Sequence, residues 1–238
     1  MEKSKLQSFI NRYYLAGNCE AVTVKANGQS VNCELIDVDQ TVVGKVKWKT
    51  DPFMTGELGI NHTGALTKML SAVGEKIDIE VQDAQGKNYA MKIQEGSTTM
   101  TFMLADTSVI PAVPTINAEP EYQVTIDIDD EFVNKFIKAK NALPESENFG
   151  IKCDGSNAEV IINYSTINNN RITFNETIEG GKDMSVICFS STLLKEILQS
   201  NKDYKHGELS VSEAGLAKVS FTLPNGTATY YLVQLQTS

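Results

Sequence analysis

The chain has 238 residues and a net charge of −9, from 21 basic and 30 acidic side chains. Its apolar fraction of 41% is spread along the chain, which excludes disorder as the main state, and its length allows one large domain or two small ones. No apolar run approaches the roughly 18–20 residues of a membrane-spanning helix, and residues 1–17 lack the continuous apolar stretch of a signal peptide.

The cysteine pattern indicates a reducing compartment. Cys19, Cys33, Cys153 and Cys188 are widely spaced, with no Cys-x-x-Cys pair among them. Disulfide frameworks are typical of small, cysteine-dense secreted chains, which this chain is not. We therefore expect reduced, partly buried thiols in a cytoplasmic protein.

Four segments have apolar side chains at helical spacing. Each is about three turns long and presents one apolar stripe to a core. The predicted stripes are Leu6, Phe9, Ile10 and Tyr13; Leu66, Met69, Leu70 and Val73; Phe132, Val133, Phe136 and Ile137; and Leu193, Leu194, Ile197 and Leu198.

The other segments favour short strands bounded by turn residues such as Asn27-Gly28. Three strands follow each predicted helix, and a further strand precedes the second, third and fourth helices. In chain order the predicted strands are 20–25, 30–37, 41–49, 57–61, 76–82, 88–93, 98–104, 122–128, 149–153, 158–165, 171–178, 184–190, 208–212, 218–223 and 227–235. A unit of strand, helix and three-stranded meander is thus repeated four times, at roughly 60 residues each.

A proline-bearing segment separates the second unit from the third. Residues 106–121 contain Pro111, Pro114 and Pro120 and show neither helical nor alternating spacing, which predicts an extended connector. The predicted domains are therefore 1–105 and 122–238. Two units make a two-sheet domain with its helices gathered on one side, so the predicted fold class is α+β, with two tandem domains that are each a duplicated strand-helix-meander unit.

Basic residues are concentrated on the predicted helices. The windows 3–14, 62–73, 131–142 and 192–205 contain ten basic and three acidic residues and carry +7, so the rest of the chain carries −16. Ordinary solvated helix faces, with lysines near the C-terminal ends favoured by the helix dipole, would explain one such helix. The small number of acidic residues on all four helices favours a basic surface that contacts the phosphates of a nucleic acid without recognising its base sequence.

The spacing of these residues predicts which of them face phosphates. Lys5 and Arg12 are seven apart, on one helix face away from the apolar stripe, and Lys135 and Lys138 lie opposite the phenylalanine stripe of the third helix. Lys140 lies in line with that stripe and should extend from a core edge. The predicted phosphate-facing set is Lys5, Arg12, Lys68, Lys135, Lys138, Lys195 and Lys202, the last at or past the end of the fourth helix.

Three segments then carry a resemblance to a known family. They are MEKSKLQSFINRYYLAG, YQVTIDIDDEFVNKFIKAKNAL and LSVSEAGLAKVSFTLPNGTATYYLVQL, the last with Tyr230-Tyr231-Leu232. In order, they resemble the N-terminal helix, the opening strand and helix of the second domain, and the closing hairpin of the sliding clamps of DNA replication. The similarity is greatest to the two-domain phage clamps and to proliferating cell nuclear antigen (PCNA).

The resemblance implies a ring of six similar domains, which a two-domain chain forms as a homotrimer. Helices on the inner face would encircle double-stranded DNA without sequence preference, sheets would form the outer shell, and the ring would tether a DNA polymerase and raise its processivity. Ring closure would pair strand 98–104 of one subunit with strand 171–178 of the next. The implied interface residues are Thr99, Thr101, Met103, Ile172 and Phe174.

The resemblance also implies an apolar pocket beneath the connector for peptides of the polymerase and of the clamp loader. The implied pocket residues are Val109, Ile110, Val113, Tyr231 and Val233. The chain departs from the family in having a single lysine, Lys68, on the second helix. A phage-encoded clamp would act in the host cytoplasm.

The sequence offers little support for an enzyme, a cofactor or a metal site. It contains no GxxxxGK[ST], HExxH or GxSxG motif. Four acids, Asp127, Asp129, Asp130 and Glu131, could be imagined as metal ligands. However, Asp127 and Asp129 share one strand face, and Asp129 and Asp130 lie where a helix N-cap is expected. His62 and His206 have no carboxylate or cysteine at a typical ligand spacing and lie near helix boundaries, so we expect structural roles for both.

Two alternatives to a ring-forming clamp stay open. One is a β-rich phage or viral structural protein whose repeats assemble a shell. Such a protein would not require helices with few acidic residues. The other is a monomeric processivity subunit of the same fold. The oligomeric state separates these alternatives.

Overall fold

The computed structural model describes residues 1–49, 55–167 and 169–236. The chain divides into two compact units. The first comprises Met1–Val38, Val43–Pro114 and Asn225–Ala228, and the second comprises Asp39–Val42, Thr115–Pro224 and Thr229–Ser238. None of the described helices is long and apolar enough to span a membrane.

The described residues of the first unit form two α-helices and two sets of antiparallel strands. Its elements are α1 (Lys3–Tyr14), β1 (Val22–Asn27), β2 (Ser30–Ile36), β3 (Val42–Lys49), β4 (Thr55–Ile60), α2 (Thr63–Leu70), β5 (Asp78–Ala84), β6 (Lys87–Glu95) and β7 (Thr98–Met103). The strand order is β4-β1-β2-β3 in one sheet and β5-β6-β7 in the other.

The second unit repeats this arrangement. Its elements are β8 (Val124–Asp127), α3 (Asp130–Ala142), β9 (Asn148–Asp154), β10 (Asn157–Ile162), β11 (Ile172–Thr177), β12 (Asp183–Ser190), α4 (Ser191–Ser200), β13 (His206–Ser212), β14 (Leu216–Leu223) and β15 (Gly226–Val233), the last mostly in this unit. The strand orders are β15-β14-β13-β8 and β11-β10-β9-β12.

The fourfold repeat of helix and three-stranded meander is present as predicted. A strand also precedes α2, α3 and α4, whereas before α1 it is reduced to an isolated bridge between Glu2 and Lys76. Helix α1 contacts α2, and α3 contacts α4, so each unit gathers its two helices as expected. The predicted α+β fold class is confirmed.

Apolar stripes fix the helices to the sheets. In the first unit Leu6, Phe9, Ile10 and Tyr13 are all buried, and Phe9 stacks on Trp48 of β3 with ring centroids 5.6 Å apart. Each large apolar side chain stabilises the fold by about 1.5–3 kcal/mol when it is fully buried. The predicted stripe on α1 therefore holds this helix on its sheet.

A row of phenylalanines does the same in the second unit. Phe132 and Phe136 of α3 have ring centroids 6.2 Å apart, and Phe136 meets Phe149 of β9 edge-on at 5.3 Å. Phe149 in turn lies 5.9 Å from Phe189 of β12, and all four rings are fully buried. Helix α3 is thereby fixed across the β9–β12 pair.

Side-chain caps begin α3 and α4. The Asp129 carboxylate accepts a hydrogen bond of 2.7 Å from the backbone N–H of Phe132, and the Ser190 hydroxyl accepts one of 3.2 Å from Leu193. Asp130 occupies the first position of α3, where the helix dipole favours an acidic side chain. The capping role predicted for Asp129 is confirmed.

The four cysteines are free and buried. Burial raises the pKa of the Cys19 thiol to about 12 and that of Cys188 to about 11. The thiols of Cys19 and Cys188 are therefore protonated at neutral pH and act as small apolar side chains.

Candidate functional site

The exposed faces of α1 and α2 carry two of the predicted phosphate-facing lysines. Lys5 is exposed, and its Nζ lies 3.2 Å from Glu2 Oε2. Lys68 is exposed in the last turn of α2, where the helix dipole favours a cation. An exposed ion pair such as Lys5–Glu2 is weak, so both ammonium groups are free to turn towards a phosphate.

Arg12 does not share this face. Only 3% of the residue is exposed, so the expectation that Arg12 faces solvent beside Lys5 is wrong. Arg12 follows Phe9 by three residues and therefore lies about 60° from it around the helix. That position is on the flank of the apolar stripe, which packs onto the sheet, rather than opposite it.

Lys135 of α3 is held between two carboxylates. Its Nζ lies 2.8 Å from Glu131 Oε1, one turn earlier, and 3.2 Å from Glu176 Oε1 on β11. The hydrogen bonds to Glu131 and Glu176 raise the pKa of Lys135. Lys135 thus links the helix to strand β11, and the two acids offset its charge.

Lys138, Lys195 and Lys202 carry the rest of the predicted basic surface. Lys138 and Lys202 are exposed and Lys195 is half-buried, and no ion pair to any of the three occurs among the described residues. Lys202 lies beyond Ser200, where α4 ends. The net positive charge of this unit's helical face therefore rests on these three lysines more than on Lys135.

Lys140 lies at the edge of the core, as predicted, but its side chain does not extend to solvent as expected. It is 6% exposed, and its Nζ donates a hydrogen bond of 2.7 Å to the Pro144 carbonyl. Burial, together with the nearby charge of Lys195, lowers the pKa of Lys140. Lys140 adds positive potential behind Lys195 without reaching the surface itself.

Both strands implied in ring closure are edge strands. Strand β7 is the last strand of β5-β6-β7, and β11 is the first of β11-β10-β9-β12. On β7 the side chains of Thr99, Thr101 and Met103 are exposed and alternate with buried Met100 and Phe102. The three predicted interface residues of β7 therefore share one exposed face.

The backbone of β7 also offers free hydrogen-bonding groups. The Leu104 N–H donates to the Tyr89 carbonyl over 2.8 Å, and the β6–β7 register continues without a bulge. Successive residues of an antiparallel strand alternate in direction, so the N–H groups of Thr101 and Met103 point away from β6. These groups are available to another strand.

The interface residues predicted on β11 face inward instead. Ile172 and Phe174 are half-buried, and the Phe174 ring meets Phe132 of α3 edge-on at 6.0 Å. Thr173 and Asn175 are the exposed side chains at this edge. A strand that pairs here would therefore contact the backbone of β11 and these two polar side chains.

The start of the connector lies along a groove on the first unit. Ile110 is 9% exposed, Val113 is half-buried, and both line a groove of about 690 Å³ whose strand side includes Lys25 and Lys47. Val109 is 67% exposed. Within this unit the structure brings together two of the predicted pocket residues, in a groove that is apolar along the connector and charged along the strands.

The end of the connector is fixed to the second unit by Glu119, a residue that the sequence did not single out. Its carboxylate accepts hydrogen bonds of 2.8 and 2.9 Å from Lys218 Nζ and one of 2.7 Å from the Tyr231 hydroxyl, and Tyr122 adds a longer one of 3.3 Å. Tyr231, a predicted pocket residue, is therefore oriented by Glu119, whereas Val233 is 43% exposed.

The charges around Glu119 alter its acidity. The hydrogen bonds from Lys218 and Tyr231 lower the pKa of Glu119. Burial and the Glu119 carboxylate raise the pKa of Tyr231 to about 12. At neutral pH Glu119 is therefore a carboxylate and Tyr231 a neutral phenol.

Comparisons with known proteins identify the fold. No protein-family model and no curated protein sequence matches the chain. Among solved structures, PCNA from Entamoeba histolytica is 16% identical with a TM-score of 0.74, and the match covers 99% of this chain and 96% of that chain. The structure of A. fulgidus PCNA bound to the C-terminal region of FEN-1 gives 18% identity and a TM-score of 0.77, covering 100% and 98%.

The PCNA2–PCNA3 complex of Sulfolobus tokodaii gives 13% identity and a TM-score of 0.72, covering 98% of this chain and 97% of that chain. The matches span both units at low identity. The chain therefore has the two-domain fold of the PCNA-like sliding clamps, and the fold resemblance seen in the sequence is confirmed.

Proposed function

We propose that this protein is a sliding clamp that encircles double-stranded DNA as a ring and tethers a DNA polymerase. The observation that carries the proposal is the charge distribution on this fold. The helical windows carry +7 in a chain whose net charge is −9. Of the predicted phosphate-facing lysines, four are exposed and a fifth, Lys195, is half-buried, on a PCNA-like fold. The role is that of a scaffold and requires no catalytic residue.

The corrected DNA-facing set is Lys5, Lys68, Lys138, Lys195 and Lys202. Ammonium groups on flexible stems attract phosphates without distinguishing bases, so binding would be independent of sequence and would weaken with salt. Lys135 belongs to this face but is already neutralised by Glu131 and Glu176. Arg12 is excluded because it is buried.

The ring would be a homotrimer closed by β7 of one copy and β11 of the next. An unpaired edge strand with outward N–H groups is a liability in solution, and pairing of the two edges removes it. We propose residues 1–105 and 122–238 as the two clamp domains and 106–121 as their connector. The connector groove and the region of Tyr231 would receive short peptides of the polymerase and the clamp loader. The support for this assignment is that the A. fulgidus PCNA in the comparison holds the C-terminal region of another protein.

The decisive experiment measures retention on DNA. The protein is loaded onto a nicked circular plasmid, and retention is compared before and after the plasmid is linearised. A clamp should stay on the circle and leave once the DNA has ends. Light scattering should give three times the chain mass of 26.1 kDa.

Charge reversal supplies the matched control. The helix variant carries Lys68→Glu, Lys138→Glu and Lys195→Glu, and the strand variant reverses an equal number of exposed or half-buried strand lysines outside the connector groove, Lys49, Lys92 and Lys152. The helix variant should lose retention, and the strand variant should keep most of it. Equal losses would contradict the basic-helix argument, and a monomer that still supports processive synthesis would favour the non-ring subunit.

A further inference from the structure

Three metal-ligating side chains of the second unit converge although they are distant in sequence. Asp127 ends β8, and His206 and Glu208 lie at the start of β13. Their ligand atoms all lie within 4.8 Å of one another. In the sequence Asp127 and His206 are 79 residues apart, and no local pattern predicts a metal site there. The antiparallel pairing of β8 with β13 brings them together.

The sheet fixes this juxtaposition. Glu208 lies directly opposite Asp127 in the β8–β13 register. His206 is two residues before Glu208 on the same strand, and alternate residues of a strand point to the same face. The backbone of two hydrogen-bonded strands therefore holds all three side chains on one face.

The observed spacing suits a single ion. His206 Nε2 lies 3.1 Å from Glu208 Oε1. Two ligands about 2.0–2.1 Å from a common Zn²⁺ are roughly 2.9–3.4 Å apart for angles between octahedral and tetrahedral. The imidazole and the Glu208 carboxylate are already at that separation, and an Asp127 carboxylate oxygen lies within 4.8 Å of both.

A cation would stabilise the facing carboxylates of Asp127 and Glu208. Like charges directly opposite each other on neighbouring strands are destabilising. Asp127 and Glu208 form such a pair, and no lysine or arginine of the described chain makes an ion pair with either carboxylate. Glu208 contacts only His206 among the described basic side chains, and a divalent cation held by both carboxylates would neutralise their charges.

We propose that Asp127, His206 and Glu208 form a zinc-binding site on the exposed face of the β8–β13 pair. One imidazole nitrogen and two carboxylate oxygens are a borderline ligand set that prefers Zn²⁺ to Mg²⁺ or Ca²⁺. Because Asp127 and His206 are exposed, water would complete the coordination. Bound zinc would link the four-residue edge strand β8 to its neighbour.

The chain contains only two histidines, which makes the test sharp. Full-length protein is titrated with ZnCl₂ while the imidazole resonances of His206 and His62 are followed by NMR. His206 should shift with a saturable curve and His62 should not. His62→Ala, the matched control, should bind zinc as the unaltered protein does, and His206→Ala should lose the binding.

The carboxylate variants test whether three ligands act together. Asp127→Asn and Glu208→Gln should each weaken zinc binding by about tenfold or more, since each removes one anionic ligand. Circular dichroism without metal establishes that each variant is folded. A tenfold excess of Mg²⁺ should not displace the zinc.

Three results would overturn the proposal. Equal shifts of His62 and His206 would show non-specific binding, and unchanged affinity in Asp127→Asn would reduce the site to an ordinary His206–Glu208 pair. Displacement by Mg²⁺ would show general attraction of cations to acidic groups. None of these measurements depends on ring formation or DNA binding.

Discussion

Replacement of Glu119 tests whether this carboxylate fixes the end of the connector to the second unit. Glu119→Ala removes the hydrogen bonds to Lys218 and Tyr231, and Glu119→Gln keeps the shape but removes the charge. Both variants can be compared with Tyr231→Phe, which deletes only the phenol hydroxyl. The neighbouring ion pair between Lys182 and Glu121 offers a matched control in Glu121→Gln, because both of its side chains are more exposed.

The magnitude follows from the two principal contacts. The Lys218–Glu119 pair is partly exposed, with side-chain exposures of 28% and 36%, so we assign it about 1 kcal/mol. The hydrogen bond from Tyr231 to a carboxylate is charge-assisted, and partial exposure places it at the lower end of its range, at about 1 kcal/mol. Glu119→Ala should therefore lower the free energy of unfolding by about 2 kcal/mol, and Glu119→Gln by about 1 kcal/mol.

Urea unfolding at fixed protein concentration measures these free energies, because self-association would otherwise change the apparent stability. A double-mutant cycle between Glu119→Ala and Tyr231→Phe should show a coupling of about 1 kcal/mol. Amide hydrogen exchange at residues 115–121 should rise in Glu119→Ala. Glu121→Gln should change the unfolding free energy by less than about 0.5 kcal/mol.

The pH dependence has a definite sign. Since Lys218 and Tyr231 lower the pKa of Glu119, its contribution is present above the ordinary glutamate pKa of about 4.3 and is lost as the pH falls through the lowered value. The stability difference between the unaltered protein and Glu119→Gln should therefore shrink below about pH 4. Additive effects in the cycle, within about 0.3–0.5 kcal/mol, would refute the reasoning.

Three further predictions concern the ring, the helix face and the connector. Thr101→Pro should weaken self-association at least about tenfold, measured by light scattering, because it removes a backbone N–H donor that points away from β6. Thr101→Ala keeps this N–H and should leave self-association unchanged. Equal amounts of trimer in the two variants would contradict strand pairing through β7. In urea unfolding, Arg12→Ala should lower the free energy of unfolding by about 1–3 kcal/mol through lost packing, and Lys138→Ala should lower it by less than about 0.5 kcal/mol. A larger loss for Lys138→Ala than for Arg12→Ala would mean that Arg12 is not buried in solution. Ile110→Ala combined with Tyr231→Ala should abolish polymerase stimulation and leave the oligomer mass unchanged, and stimulation that survives both changes would place the peptide site elsewhere.

Local patterns in the sequence sufficed for the repeating architecture. The stripes of α1 and α3 follow from 3.6-residue periodicity, which requires only neighbours within one helix. The Asp129 cap involves groups three residues apart, and the excess of lysines over acids on the helices is a property of composition. The edge position of strand 98–104, by contrast, was implied by the resemblance to sliding clamps and not by a local pattern.

Tertiary structure decided the partners of each side chain. The sequence did not distinguish Arg12 from Lys5. Helical spacing gives the side of the helix on which a residue lies, but not how far the neighbouring elements cover that side. The sequence offers Lys135 one acidic neighbour, Glu131, one turn earlier. Folding adds Glu176, 41 residues later, to its ammonium group. The same holds for Glu119 and Tyr231, which are 112 residues apart.

The sequence by itself therefore determined which segments become helices and strands, how often the unit repeats and which elements carry positive charge, since these depend on interactions within a few residues. Only the tertiary structure decided which of those charges remain at the surface, what orients Tyr231, and that Asp127, His206 and Glu208 share one face of a strand pair. Those outcomes depend on strand register and on long-range packing, which bring together residues that no local pattern connects.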